Sequence, residues 1–256
     1  MLRTMSTADN PAFSRVLAEH FPGAIPEREF LGGTVSLLAD EGFTTNNTLA
    51  GVAICRDEIA HPMLIDAERF WGPVFSLASL AGLVTAGRTG LAAAAGHIPV
   101  DDGRRHFVMY AMAHIAVGAD GTVGVVERAG LSGPSKACGA LVGFRNELLD
   151  GALNISVDPL DLEQSFLKLR LLPLIPYGSV PGLVELTKLV ADAIEADLWA
   201  IFRSLRDAGE GLVTDGAFFT GIQIHGPGGA NFVWPRTGHL EVDGDRTKLD
   251  LAALSG

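Results

Sequence analysis

Three side chains of this sequence have the chemistry to hold a metal or to attack an electrophile, and they stand far apart. Cys55 ends the apolar run Leu49 to Ile54 in "TLAGVAICRDEIAHP", and charge follows it at once. His114 lies at the end of "RRHFVMYAMAH", and Cys138 opens "CGALVGFRNELL". Thiolate sulfur and imidazole nitrogen suit zinc, and three such ligands leave one tetrahedral corner for water, whose pKa the metal lowers towards about 7. A helix starting at Cys138 favours the thiolate through its N-terminal dipole. The same residues fit two other readings. Without metal, one cysteine is a nucleophile, His114 its base and Asp57 the orienting group. With no chemistry at all, each cysteine packs as a small buried hydrophobe. No short zinc signature separates these, because the ligands are scattered along the chain.

Such residues need elements that carry them to one place. "NPAFSRVLAEHF" predicts a helix with Asn10 as N-cap and Pro11 at its first position, and "IPEREFLGGTVSLLADEGF" a second, ending near Gly42. Thr48 to Cys55 reads as a buried strand. "LIDAERFWGPVFSLASLAGLV" reads as largely buried helix, and "GRTGLAAAAGHIP" as an Ala-rich helix closed by Pro99. A strand follows at about Phe107 to Met112, then a hairpin-like turn and short strand in "DGTVGVVERAG", then a helix from Cys138 to about Leu149. "DLEQSFLKLRLLPLI" and "VPGLVELTKLVADAIEADLWAIFRSL" have helical periodicity, and "FFTGIQIHG" is a late strand. Strands alternating with helices imply the α/β class, a mostly parallel sheet flanked by helices. In such sheets, sites form beyond the carboxyl ends of the strands. The chain reads as one domain, 1–256, with a helical arm over 1–45. Residues 206–256 form a C-terminal strand and loop extension that adds a sheet edge or covers a subunit interface. His225, within it, is assigned a structural role.

Composition narrows the partners. The 256 residues carry a net charge of −11, which argues against nucleic acid and against an anionic membrane surface. Two cysteines make no disulfide framework and point to a reducing compartment, the cytoplasm. Mean hydropathy is +0.29. The longest uncharged run, Phe70 to Gly87, contains Pro73 and falls short of the about 20 apolar residues a span needs. "MLRTMSTADNPAFSRV" has no apolar signal segment. High hydropathy without a span implies an α/β core or subunit surfaces buried in an oligomer.

"NTLAGVAICRDEI", "FSLASLAGLVTAGRTGLAAAAGHIP", "MAHIAV", "DGTVGVVERAG", "CGALVG" and "DPLDLEQSFLKLRL" occur in this order. Together they resemble the limiting-CO2-inducible B/C family, the theta-class carbonic anhydrases related in fold to the beta class. The similarity runs from about Phe21 to beyond Thr187. It implies a beta-carbonic-anhydrase-like fold, a homodimer and zinc held by Cys55, His114 and Cys138. The implied reaction is reversible hydration of carbon dioxide to bicarbonate by a metal-bound hydroxide. The alternative is a non-catalytic protein that binds zinc and bicarbonate, or a scaffold in inorganic-carbon acquisition. His97, in "AAAAGHIP", is the second choice of imidazole ligand. The resemblance also implies an Asp–Arg pair beside the metal, with Asp57 as the aspartate. The beta pattern Cys-x-Asp-x-Arg is broken by Ile59, so the arginine comes from elsewhere. Arg56 is the nearest candidate and Arg88 a weaker one, although adjacent strand residues point to opposite faces. Phe70, Trp71 and Phe75 are expected to border an apolar pocket, and Glu58 to be a structural ion-pair or solvated residue.

Overall fold

The computed structural model describes residues 10–128, 130–207 and 215–254. The reading of residues 1–9 lies outside the described residues. In chain order the elements are α1 (Pro11–His20), β1 (Ile25–Pro26), α2 (Glu27–Ala39), β2 (Thr48–Ala53), α3 (Pro62–Trp71), β3 (Val74–Ser76), α4 (Gly87–Ala95), β4 (His106–Ala116), β5 (Val125–Glu127), β6 (Pro134–Lys136), α5 (Gly139–Leu149), α6 (Leu162–Leu171), α7 (Leu183–Asp207), β7 (Asp215–His225), β8 (Asn231–Val242) and β9 (Asp245–Lys248).

The main sheet has the order β1-β8-β7-β4-β2-β3, with β9 also paired to β8. β3, β2, β4 and β7 run parallel, whereas β8 is antiparallel to β7. Every residue of β2 and β4 is buried, as expected where helices cover both faces and the strands read as continuous apolar runs. The two faces separate by parity along β4 and β7. Tyr110 and Phe219 stack on one face, with Phe30 of α2 against both. Phe218, on the other face, packs against Trp199 and Phe202 of α7. The result is a mixed α/β fold with a mostly parallel centre.

A polar chain ties the first face together. The Thr34 hydroxyl donates to the Leu31 carbonyl at 2.7 Å, so its single proton is committed. The Tyr110 hydroxyl, 2.7 Å away, therefore donates to Thr34, and it accepts from the Trp71 indole N–H at 3.0 Å. Burial without a partner would cost each of these groups about 1–3 kcal/mol. Trp71 is thus a core residue of this chain, not the border of a pocket.

Two segments differ from expectation. The long helix predicted from Leu64 ends at Trp71. Gly72, at φ +80°, turns the chain, and Val74–Ser76 pairs with β2. Positive φ is where only glycine is unstrained, and Pro73 cannot continue a helix. The C-terminal segment does more than add a sheet edge. β7 lies inside the sheet between β4 and β8, the Gly/Pro-rich stretch turns at Pro227–Gly229 into the 12-residue β8, and β9 adds a short strand beyond β8.

The start of α2 buries an acid. Glu27 accepts from the Gln223 side-chain N–H at 2.6 Å, and the same amide donates to the Ala60 carbonyl at 3.1 Å. Burial pushes the Glu27 carboxyl up from 4.5 to about 7. A carboxyl raised on folding contributes stability that is fully present below about pH 4.5 and is lost as the pH rises through about 7. The loss amounts to about 3 kcal/mol at most. Glu27→Gln keeps an acceptor for Gln223 and removes the titration. Because the other titrating groups, the depressed His225 among them, are common to both proteins, the urea-unfolding stability of the parent relative to the variant should fall across that window. Parallel profiles would show that Glu27 is not the source.

Candidate metal centre

The parallel pairing brings the predicted donors to one end of the sheet. After β2 the chain stays extended to Cys55: Ser79 N–H donates to the Ile54 carbonyl at 3.0 Å, and Arg56 N–H to the Ser79 carbonyl at 3.2 Å. Cys55 is held between those two bonds. The following turn presses on the end of β4 through Gly82, at φ +80°, where a Cβ would lie 2.2 Å from the Met112 carbonyl oxygen. His114 is near the end of β4. Beyond it, Gly124 N–H donates to the Ala116 carbonyl at 2.8 Å and Ala137 N–H to the Gly124 carbonyl at 3.0 Å. Those bonds anchor Cys138 beside β4, as the N-cap residue of α5.

Cys55, His114 and Cys138 each offer a donor atom, and these atoms lie within 4.8 Å of one another. The two sulfurs are 3.9 Å apart. All three residues are buried, at 1–3% exposure. His97 is elsewhere, with its ring against Phe75 at a centroid distance of 5.6 Å.

The sulfurs share a proton unequally. A hydrogen bond from the Cys138 thiol, followed by the nearby His114 ring, pulls Cys55 down from 9.0 to about 4 against its burial. The Cys138 thiol is pushed up by that same bond and by burial, while the first N–H groups of α5 oppose the rise. The coupling favours the thiolate at Cys55 over Cys138, and a bound cation would favour both. His114 Nδ1 is 3.1 Å from His225 Nε2. Its other nitrogen, Nε2, is buried and makes no hydrogen bond among the described residues. An orphaned imidazole nitrogen beside two sulfurs is the donor set a borderline divalent metal takes, so the residues fit a zinc-type ion.

Asp57 follows two residues after Cys55, and its partner is Arg128. One guanidinium nitrogen, Nη2, reaches Asp57 Oδ1 at 2.7 Å and Oδ2 at 2.9 Å. Arg128 Nε also binds Glu58 Oε1 at 2.5 Å, and Nη1 reaches the Lys136 carbonyl at 3.0 Å and the Ser135 hydroxyl. The β5–β6 ribbon thus holds the arginine in place. This corrects the assignment of Arg56. Its side chain makes a two-point contact with Glu163 of α6 at 2.9 and 3.1 Å. The chain bends at Arg56 and Asp57 immediately after the bridge at Cys55, and the Arg56 side chain points out towards α6. Arg88 reaches Ser204, at 3.5 Å. Glu58 is the ion-pair residue expected, with Arg128 as its partner. Arg128 lies 71 positions from Asp57, beyond any local spacing rule, and its one signal is its place in "DGTVGVVERAG".

The family described as limiting CO2-inducible proteins B/C beta carbonic anhydrases matches residues 24–241. The crystal structure of PtLCIB4, a homologue of the limiting CO2-inducible protein LCIB, is 27% identical. It superposes with a TM-score of 0.79 over 92% of this chain and 98% of that one. The crystal structure of the limiting CO2-inducible protein LCIB is 30% identical, with a TM-score of 0.74 over 92% and 97% of the two chains. No curated protein matches the sequence significantly.

The two arginines should respond differently to truncation. The Arg128 side chain is 16% exposed and its Asp57 partner 12%. Arg128→Ala strands that carboxylate and should cost about 3 kcal/mol in urea unfolding. Arg56 is 62% exposed, and Arg56→Ala should cost less than about 1 kcal/mol. Equal costs would contradict this division of roles.

Proposed function

The chain belongs to the limiting CO2-inducible B/C beta carbonic anhydrase family, and on that premise we propose that it interconverts carbon dioxide and bicarbonate at a zinc ion held by Cys55, His114 and Cys138. The observation that carries this reading is the convergence of those three donors in one buried cluster. A zinc ion in that position supplies Lewis acidity, bringing the pKa of a coordinated water towards about 7.

The protein's own residues do the rest. Two thiolates and one neutral imidazole balance the charge of a dication in a buried place where an unpaired charge would be costly. Asp57 is the candidate hydrogen-bond acceptor for the attacking water, orienting it and receiving its proton. Arg128 grips both carboxylate oxygens, which favours that role over direct ligation of the metal by Asp57. A cleft lined by Glu58, Ile59, Glu127, Arg128 and Leu131 borders the pair and offers a route for substrate.

We assign the working form as a homodimer in the cytoplasm. Ile155, Val157, Leu160, Leu162, Leu169 and Tyr177 are exposed on and around α6, an apolar surface of the kind a second copy covers. Both cysteines are free, as a reducing compartment keeps them. Among the described residues no helix is long and apolar enough to cross a membrane.

Metal analysis combined with stopped-flow hydration, with and without a chelator, tests the reading. The purified protein should carry about one zinc per chain and lose activity on chelation. Cys55→Ser and Cys138→Ser should lose zinc and turnover together. Asp57→Ala should keep the zinc and slow hydration by about 10²–10⁴-fold. A full zinc complement in Cys138→Ser would sink the ligand assignment. Turnover indifferent to chelation would replace the metal mechanism with a thiol one. Zinc without hydration would make this a binding protein.

A further inference from the structure

We propose that His225 and Asn231 are positioning residues for the metal site: they set the tautomer of His114 so that its Nε2 faces the two sulfurs as a bare lone pair. This inference rests on the zinc reading above and adds two residues from the C-terminal part of the chain to it.

The sheet register puts the three side chains in one row. Ala116 is the register partner of His225 on β7, and His225 is the partner of Asn231 on β8. His114 is two residues before Ala116, so all three side chains fall on the same face of three adjacent strands. The turn joining β7 to β8 is closed by Gly226 N–H donating to the Ala230 carbonyl at 2.7 Å. Val117 N–H donates to the His225 carbonyl at 2.9 Å, so the backbone of the row is fixed from both sides. His114 and His225 are nearly inaccessible, at 1% and 2% exposure.

The direction of the chain follows from what Asn231 presents. Its Oδ1, an acceptor, lies 2.8 Å from His225 Nδ1, so that nitrogen carries the proton and donates. In a neutral ring Nε2 then has the lone pair. His114 Nδ1 is 3.1 Å from that lone pair and must be the donor. One imidazole proton on Nδ1 leaves Nε2 of His114 bare, and this is the nitrogen that lacks a hydrogen-bond partner. Reversing the row, with an amide N–H of Asn231 donating, would put a proton on His114 Nε2 and block it as a ligand. The oxygen of Asn231 is therefore the choice on which the ligand tautomer depends, two residues removed from the metal.

The test is zinc affinity measured by competition with a chromogenic chelator, with the cobalt-substituted absorption spectrum as a second readout. Folding is checked by circular dichroism and urea unfolding. Asn231→Leu removes the acceptor and should weaken zinc binding by about 10–100-fold and alter the cobalt spectrum. Asn231→Asp keeps an acceptor at the same point and should bind at least as tightly as the parent. His225→Phe keeps a ring without nitrogens and should weaken binding by a similar factor. The two Asn231 variants decide the matter should His225→Phe fail to fold, because a purely structural role gives no reason for Asp to rescue what Leu loses. A folded Asn231→Leu with parental affinity, or an Asn231→Asp as weak as Asn231→Leu, would overturn the inference while leaving zinc binding intact. A parent protein that takes up no zinc would overturn the metal reading itself.

Discussion

The parallel pairing of β2, β4 and β7 is the constraint on which the rest of the molecule depends. Parallel strands end together, so residues distant in sequence arrive at one edge of the sheet. Cys55 follows β2, His114 lies near the end of β4 and His225 ends β7. The connection from β4 then returns, through backbone hydrogen bonds to Ala116 and Gly124, to deliver Cys138 at the start of α5. Nothing local links these residues. They are brought together because both faces of the strands must be covered, and the helices that cover them force the crossovers to run the same way.

A second requirement shapes the region around this edge: buried polar groups need partners. The molecule meets it differently in three places. Under α2 the chain from Trp71 through Tyr110 and Thr34 to the Leu31 carbonyl is complete, and its effect is to fasten helices to the sheet. Beside the cysteines, the row from His114 through His225 to Asn231 stops one atom short, at His114 Nε2. A closed network serves the fold, whereas an open one, ending at the histidine clustered with the two cysteines, serves chemistry. The Asp57–Arg128 pair lies between these cases, with both carboxylate oxygens held yet only part of their accepting capacity used.

Much of the architecture was legible because its signals are local or periodic. The apolar run before Cys55, the helical repeat of α7 and the turn at "DGT" each report an element directly. The errors came where a backbone choice overrode composition. Residues 64–84 are apolar enough for one helix, but Gly72 and Pro73 divert them into a turn and a short strand. Residues 215–242 looked peripheral because they come last and are rich in glycine, yet they form two long strands, each with neighbours on both sides. Chain order carries no information about spatial order once crossovers are allowed.

The site divides along the same line. The residue types and their places at element ends put forward Cys55 and Cys138, with His114 ahead of His97, and the family resemblance supplied the ligand set. The family resemblance marked Asp57, two residues after Cys55, as the aspartate of the site. Only the tertiary structure decided that Arg128 and not Arg56 holds Asp57, that His114 and not His97 meets the sulfurs, and that His225 and Asn231 stand behind it. Those choices depend on strand register and on a ribbon folding back over 71 positions. A hydrogen bond is selected by distance and direction, which the order of residues along a chain does not specify.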